Sequence, residues 1–431
     1  MLTSIHIENF KSYLKQDLHL SSLTLLIGAN ASGKSNALEA FRFLCWLAQG
    51  QKLSLLKQRL ADSEPIIRGQ IRQLAYLHAG SFKLGCQTDN SLWNYFEVEI
   101  GLRDDDLRIE QESITSQPQN VELYHIVQPL GGLGNVTEAA YVSLVEDGKE
   151  SQLACNDQIA IMCQLAWTAR FSPNHDIVQT EIPTITEKFQ SLLNNTLFLD
   201  PVPSLMRGES YPDKTLRGDC ANLSGVLYKL WQDAELRPVI IQFIKSLPEQ
   251  DVTNLEFFID RREKIALELV ESFGGVERKC SVELLSDGTL RVLAIAAALL
   301  SAPAGSTVVI EEVDNGVHPS RARQLLTTMR EQAETRGIRL LLSSHNPALM
   351  DALPDEALAD VMFCYRDPQQ GDSRLVRLAD LQDYAGLVSQ GPLGELVTNG
   401  IVDRFVKSPV SPEHKKQNAR DWLAIMQGVD P

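Results

Sequence analysis

The sequence predicts an α/β protein built around a glycine-rich loop, and three stretches of the chain predict it. The first, "LLIGANASGKSNALEAF", is an apolar run, a glycine-rich loop and a helical stretch, and Gly28–Ser35 fit the pattern G-x-x-x-x-G-K-[ST]. The second, "TVVIEEVDNGVHP", is an apolar strand that ends in two carboxylates. The third, "GIRLLLSSHNPALMD", is another apolar strand and ends in Ser343, Ser344 and His345.

The loop of the first stretch has the features of a phosphate-binding site. Its backbone N–H groups would surround a β-phosphate, and the helix N-terminus after it adds positive dipole character. Lys34 would reach the β- and γ-phosphates, and the Ser35 hydroxyl would hold Mg²⁺. An ordinary Gly/Ser turn before a helix is the alternative, but the strand and helix on either side favour the phosphate loop.

The two carboxylates of the second stretch would lie at the end of a buried strand, Thr307–Ile310. We assign Glu311 to magnesium and Glu312 to the attacking water. Glutamates also end many strands as solvated residues, and the phosphate loop upstream is what favours the catalytic interpretation. His345 could donate to a γ-phosphate from the end of its strand, although a lone histidine is more often structural.

The stretch "LLSDGTLRVLAIAAALL" places Ser286, Asp287 and Gly288 before a helix. Two interpretations stay open from the residues alone. The exposed helix N-terminus could bind an anion, or Ser286 could be an ordinary N-cap.

Composition, cysteine spacing and net charge indicate which classes of protein the chain can belong to. The chain has 431 residues, 44% hydrophobic and 22% charged, which is typical of a globular protein. No signal peptide or membrane-spanning run is visible, and the seven cysteines show no C-x-x-C spacing, so we expect a cytoplasmic protein without a disulfide framework. The formal net charge of −16 disfavours non-specific DNA binding but allows a local basic patch.

The pattern along the chain predicts the remaining elements. "TSIHIENF", "YFEVEIGL" and "AYVSLVE" alternate as strands do, and "NLSGVLYKLWQDA" and "PVIIQFIKSL" read as helices. "KIALELVESFGGVERKCSVEL" predicts a hairpin around Gly274 and Gly275. We divide the chain into the N-terminal part of an ATPase core with the loop (1–50), a β-rich lobe with a variable insertion (51–200), a helical subdomain with the hairpin (201–280), the second part of the core (281–365) and a C-terminal cap (366–431).

Four segments follow one another along the chain: the glycine-rich loop, Ser286–Gly288 before a helix, the strand that ends in two glutamates and the strand that ends in His345. In this order they resemble the ABC-type ATPase head, and more closely the AAA-family ATPases related to the SMC, RecF and OLD proteins. The resembling segments are "IHIENFKSY", "IGANASGKSNALEAF", "DPVPSLMRGES", "DCANLSGVLYKL", "LLSDGTLRVLAIAAALL", "VVIEEVDNGVHP" and "LLLSSHNPALMD". The resemblance covers most of the chain but little of residues 50–190. It implies an ABC-type P-loop NTPase fold, with a mixed sheet core, an antiparallel β subdomain and an inserted helical subdomain.

The resemblance also implies roles for particular residues and a bound nucleotide, ATP with Mg²⁺. The Walker A loop would be Gly28, Asn30, Ala31, Ser32, Gly33, Lys34, Ser35 and Asn36. Ser286, Asp287 and Gly288 would be the signature motif, which contacts the nucleotide of the opposite subunit. Glu311 and Glu312 would be Walker B, Asp314 and Asn315 would lie in the D-loop, and His345 would be the switch histidine. The Q-loop glutamine could be Gln70, Gln73 or Gln87. The first Walker B acid is Glu rather than the commoner Asp, and Val313-Asp314 replaces the usual Pro-Glu.

A signature that acts on the opposite subunit implies a homodimer with two ATP molecules between the heads. We therefore expect an ATPase whose dimerisation switches DNA engagement or a protein effector such as a nuclease or toxin, in phage defence or DNA repair and without a membrane partner. The alternatives are an OLD-type nuclease and the ATPase subunit of an ABC transporter. The residues after His345 contain no D-x-D cluster, which disfavours the nuclease.

Overall fold

A computed structural model gives the structure of the chain. It describes residues 1–59, 66–103, 106–117, 119–128, 135–142, 150–167, 176–245, 251–315, 317 and 319–407. Part of the predicted strand "AYVSLVE" and residues 408–431 of the predicted cap lie outside the described residues. Within the described residues, no helix combines the length and the apolar character needed to cross a bilayer.

The strands are β1 (Leu2–Phe10), β2 (Tyr13–His19), β3 (Thr24–Ile27), β4 (Ser81–Thr88), β5 (Tyr95–Arg103), β6 (Asp106–Ser116), β7 (Val121–Gln128), β8 (Val136–Val142), β9 (Glu150–Asn156), β10 (Thr196–Leu199), β11 (Val252–Ile259), β12 (Ile265–Phe273), β13 (Val276–Ser281), β14 (Thr307–Ile310), β15 (Arg339–Ser343), β16 (Met362–Arg366) and β17 (Ser373–Arg377). The helices are α1 (Lys34–Ala48), α2 (Leu56–Arg59), α3 (Ile161–Leu165), α4 (Asp176–Asn194), α5 (Pro203–Met206), α6 (Leu223–Trp231), α7 (Arg237–Ile244), α8 (Asp287–Ser301), α9 (Pro319–Arg336), α10 (Pro347–Asp351), α11 (Tyr384–Val388), α12 (Leu393–Thr398) and α13 (Ile401–Lys407).

The main sheet is mixed, and its parallel part carries the predicted motifs. In the described residues the strand order is β10-β14-β15-β3-β16-β17-β2-β1-β4-β5-β6-β7-β8-β9. The first five strands pair in parallel. Parallel strands present their carboxyl ends at one edge of a sheet, where α/β proteins bind ligands. The loop after β3, the carboxylates after β14 and the histidine after β15 are therefore brought to the same edge.

Two of the parallel strands, β3 and β14, are buried on both faces. In β3, Leu26 packs into one hydrophobic cluster with α1, while Leu25 and Ile27 pack into a second cluster with α8. The neighbouring strand β14 alternates in the same way, with Val309 on one side and Ile310 on the other. Strands of this kind read as short continuous apolar runs, as both do in the sequence.

The antiparallel strands extend from this core without a break in hydrogen bonding. β1 pairs with β2 on one side and with β4 on the other, and β4 to β9 follow as an antiparallel meander. A separate sheet, β11-β12-β13, contains the predicted hairpin, whose turn residues Gly274 (φ 59°) and Gly275 (φ 82°) both have positive φ. The predicted mixed α/β fold is confirmed, while the boundaries between its domains stay a prediction.

Candidate functional site

A cavity of about 380 Å³ lies at the carboxyl edge of the parallel strands. Its lining contains most of the predicted site residues. These residues are Asn30, Ala31, Ser32, Gly33, Lys34, Ser35, Asn36, Leu38, Arg68, Glu311, Glu312, Ser343, Ser344 and His345. Elements that are about 270 and 310 residues apart in the chain thus meet around one space of a size suited to a small ligand.

The loop between β3 and α1 has a backbone that only glycine tolerates at two positions. Gly28 has φ 146° and Gly33 has φ 123°. A Cβ atom at Gly28 would lie 2.1 Å from the carbonyl oxygen of Cys364, and one at Gly33 would lie 2.3 Å from Ser373 Oγ. The two fixed glycines of the motif are therefore required both by conformation and by the close approach of β16 and β17.

Side chains from β17 and from the start of β2 brace this loop. The Tyr13 hydroxyl donates to the carbonyl oxygen of Gly33 at 3.0 Å, and Ser373 Oγ donates to that of Ser32 at 2.6 Å. Asn36 Nδ2 donates to Ser12 Oγ at 2.8 Å. The segment "IHIENFKSY" thus contributes structural support to the loop, a role that its sequence pattern alone does not indicate.

Lys34 is the first residue of α1, and its side chain folds back onto the loop. Its Nζ donates to the carbonyl oxygens of Gly28 (2.6 Å) and Ala29 (3.0 Å). Burial lowers the pKa of Lys34, although Cys364 and Glu312 favour the charged form. An ammonium group that is partly desolvated and faces an open cavity is well placed to bind an anionic phosphate.

The two carboxylates after β14 have different surroundings. Glu311 accepts a hydrogen bond from Arg42 Nη2 at 3.3 Å, and burial raises its pKa while Arg42 opposes that change. Glu312 adopts φ 48°, and its side chain accepts a hydrogen bond from Asn315 Nδ2 at 2.9 Å. The left-handed backbone turns the chain so that two successive acids can both reach the cavity.

The end of β15 fixes the backbone around Glu312. Ser343 Oγ accepts from the Glu312 N–H at 3.1 Å, and the Ser343 carbonyl accepts from the Val313 N–H at 3.1 Å. Ser344 Oγ donates to Asp314 Oδ1 at 2.6 Å. His345 follows as an exposed residue that lines the cavity. The serines therefore position the acids, and His345 remains open to a ligand.

Sequence reasoning missed two arginines and a buried glutamate beside the loop. Arg68 lines the cavity, and its Nε donates to Glu39, which is 7% exposed and also accepts from Lys11 Nζ. Arg42 lies over the Phe198 ring, with its Cζ atom 4.9 Å from the ring centroid. The one-turn spacing of Ser35 and Glu39 on α1 was a signal for Glu39, but nothing local in the sequence marked Arg68.

A second cavity of about 560 Å³ adjoins the first. It shares Ser35, Arg68, Glu311 and Glu312 with that cavity. It adds Asp200 from the connection after β10 and Asp219 from the connection between α5 and α6. The resembling segment "DPVPSLMRGES" therefore begins beside the carboxylates.

The signature segment, Ser286–Gly288, lies outside the linings of both cavities. Ser286 is the N-cap of α8, and its Oγ accepts from the Thr289 N–H at 3.1 Å. Asp287 pairs with Arg207. The N-cap interpretation is thus present in the structure, and the segment is not brought to the loop of its own chain.

The three glutamine candidates for the Q-loop are not brought to the site either. Gln70 and Gln73 form a short capped turn two and five residues after Arg68, and Gln87 lies in β4 opposite Tyr95. Among the described lining residues of the two cavities there is no glutamine. The Q-loop assignment stays open.

Two family profiles match the chain. Residues 1–118 match the "AAA ATPase domain", and residues 211–351 match the family described as "AAA domain, putative AbiEii toxin, Type IV TA system". Both matched families are described as AAA-type ATPase domains. The first match contains the glycine-rich loop, and the second contains the signature segment, both carboxylates and His345. The resemblance to AAA-family ATPases is therefore confirmed.

Solved structures of SMC head domains are also similar to this chain. One is the SmcHead bound to the C-winged helix domain of ScpA, with 14% identity, TM-score 0.45, and 87% of this chain and 97% of that chain covered. The SMC head domain from Thermotoga maritima has 13% identity, TM-score 0.36, and coverage of 87% and 98%. The Smc head domain from Pyrococcus furiosus, with an extended coiled coil and bound to the C-terminal domain of ScpA, has 13% identity, TM-score 0.43, and coverage of 87% and 95%. No curated protein sequence matches the chain.

Proposed function

We propose that this protein binds ATP with Mg²⁺ and hydrolyses the bond between its β- and γ-phosphates, which releases ADP and phosphate. The observation that carries the proposal is the single cavity in which the braced loop, Lys34, both carboxylates and His345 meet. Phosphoryl transfer depends mainly on positioning and on electrostatic stabilisation of the phosphate oxygens. A rigid loop with a lysine, next to two acids, supplies both.

Each residue has a distinct role in this proposal. Lys34 and the loop amides bind the β- and γ-phosphates, and His345 donates to the γ-phosphate. Glu312 accepts a proton from the attacking water. Ser35 and Glu311 line the same cavity with oxygen donors only, which is the ligand chemistry that Mg²⁺ prefers. When bound there, Mg²⁺ would neutralise charge on the phosphate oxygens.

We also propose that two copies enclose the nucleotides between them. The support is that the signature segment faces neither cavity of its own chain, so it needs a second copy to contact a nucleotide. Two chains related by a two-fold axis would each supply the signature segment to the other. ATP would then stabilise the dimer because it binds the closed state more tightly than the separate chains.

The biological role that we propose is a cytoplasmic switch in phage defence or DNA repair. ATP-driven dimerisation would change the engagement of DNA or of a protein effector, such as a nuclease or toxin. The description of the family matched by residues 211–351 names a toxin of a toxin–antitoxin system, which supports an effector setting. The acidic net charge of −16 favours a protein partner over non-specific DNA binding.

The experiment that tests the proposal uses Glu312→Gln. The amide keeps the shape of the side chain but cannot accept the proton, so hydrolysis should fall on the order of a hundredfold or more. ATP should still bind, and the variant should accumulate as an ATP-bound dimer. Light scattering with and without ATP and Mg²⁺, together with phosphate release, measures both effects. Glu331→Gln on the exposed side of α9 is the matched control.

Three results separate the parts of the proposal. If Glu312→Gln hydrolyses normally while Glu311→Gln is inactive and trapped as a dimer, Glu311 is the base. If neither variant changes its oligomeric state with ATP, the nucleotide-bridged dimer is wrong. If the unaltered protein releases no phosphate from ATP, the hydrolytic function itself is wrong.

A further inference from the structure

Arg207 joins the connection after β10 to the signature segment. We propose that Arg207 is a positioning residue that holds the signature segment in shape for the partner's nucleotide, and that the segment Asp200–Arg207 links this contact to the chain's own Walker B carboxylates. The proposal rests on the ATP-bridged dimer proposed above. It adds a physical connection between the two nucleotide sites, which the motifs alone do not supply.

At one end of this link, Arg207 contacts both sides of Ser286. Its Nη2 donates to the carbonyl oxygen of Leu285 at 3.1 Å and to Asp287 Oδ1 at 2.5 Å. The Ser286 side chain itself caps α8, because its Oγ accepts a hydrogen bond from the Thr289 N–H. The guanidinium therefore fixes the residues before and after the cap, and with them the direction of the first turn of α8.

At the other end, Asp200 lies beside the carboxylates. It directly follows β10, in which Leu199 pairs with Ile310, the last residue of β14 before Glu311. Asp200 and Glu311 line the same second cavity. The Asp200 N–H also donates to the carbonyl oxygen of Gly218 at 2.9 Å, which fixes the start of the connection.

The chain between these ends is short and stiff. Pro201 and Pro203 restrict the backbone, α5 contacts α8, and the buried side chain of Met206 belongs to the same hydrophobic cluster as α8. A shift of the β14 end on nucleotide binding would therefore be passed to Arg207 rather than absorbed by a flexible loop. By this route the ATP bound in one site alters the signature segment that contacts the other site.

The test uses Arg207→Ala and Arg207→Lys in the Glu312→Gln background, with Arg278→Ala on the exposed edge strand β13 as the matched control. In dilute monomer, ATP affinity should stay within about twofold, because Arg207 lines neither cavity. The ATP-dependent dimer should weaken about five- to tenfold in Arg207→Ala, since the two charge-assisted hydrogen bonds of Arg207 to an exposed segment are lost. The dimer affinity of Arg207→Lys should lie between those of the parent and Arg207→Ala, because an ammonium lacks the planar fork of the guanidinium.

Hydrogen exchange of the amides in residues 285–290 gives a second readout that a general loss of stability would not mimic. In the dilute parent, ATP should change exchange in this segment, and in Arg207→Ala this response should disappear while global unfolding is unchanged. An equal response to ATP in both proteins, or an unchanged dimer affinity in Arg207→Ala, would overturn the inference. A parent that binds ATP but never dimerises would instead refute the proposed dimer.

Discussion

Gly28→Ala is the substitution whose cost can be worked most directly from the structure. Gly28 has φ 146°, a conformation that costs other residues about 1–3 kcal/mol. The added Cβ would lie 2.1 Å from the Cys364 carbonyl oxygen and 3.0 Å from its carbonyl carbon, both backbone atoms that cannot rotate away. Overpacking of this kind costs about 1–3 kcal/mol more, so we expect a total loss of about 2–6 kcal/mol in the free energy of unfolding.

Urea unfolding followed by tryptophan fluorescence measures this loss, and calorimetry with ATP measures its effect on the site. Strain at Gly28 would shift the loop amides relative to Lys34, so affinity should fall on the order of ten- to a hundredfold. Gly80→Ala is the control, because a Cβ at Gly80 would meet no atom within 4 Å and should change stability by less than about 0.5 kcal/mol. A Gly28→Ala variant as stable as the Gly80→Ala variant, with unchanged ATP affinity, would refute the reasoning.

Three further predictions concern Lys34 at the same loop and two buried side chains, Glu112 and His6, elsewhere in the fold. Lys34→Ala should abolish nucleotide binding, because the phosphates lose their main counter-charge; tight ATP binding in calorimetry would contradict this. Glu112→Ala should lower the free energy of unfolding by about 3 kcal/mol or more, because the buried carboxyl accepts from the Tyr124 hydroxyl and from the N–H groups of Ile161 and Met162; a loss under about 1 kcal/mol in urea would count against it. Burial lowers the pKa of His6, but its hydrogen bonds to Asp17 and Glu8 and the charges of Asp17 and Glu97 outweigh this and raise the pKa overall. Since the folded pKa lies above the unfolded one, this stabilisation should be complete below about pH 6.5 and lost as the pH rises through the folded pKa. Unfolding measured from about pH 5 to pH 8 should show a flatter profile in His6→Gln, and an identical profile would exclude the effect.

Much of the fold could be predicted from local patterns because the elements that carry the motifs are locally consistent. The apolar runs before Gly28 and Glu311 are strands buried on both faces, and the double glycine at Gly274 sets the turn of a hairpin. The meander from β4 to β9 was only partly predicted, because the preference of a segment for a strand depends on its packing against the neighbouring strands, which the sequence alone does not show. In the small sheet, β11 was not predicted as a strand, because its apolar and polar residues alternate too weakly.

The sequence by itself determined which side chains we propose for the chemistry of this site. Lys34, Ser35, Glu311, Glu312 and His345 were predicted from residue type and from position after an apolar strand, since a strand end exposes the next side chain. Only the tertiary structure decided which parts of the chain surround them. Arg68 reaches the cavity through Glu39, Tyr13 and Ser373 brace the loop, and Arg207 holds the signature segment from 80 residues away in the chain. These contacts join residues that are distant in sequence, so no local pattern encodes them, and they exist only because the sheet order places their strands and connections side by side.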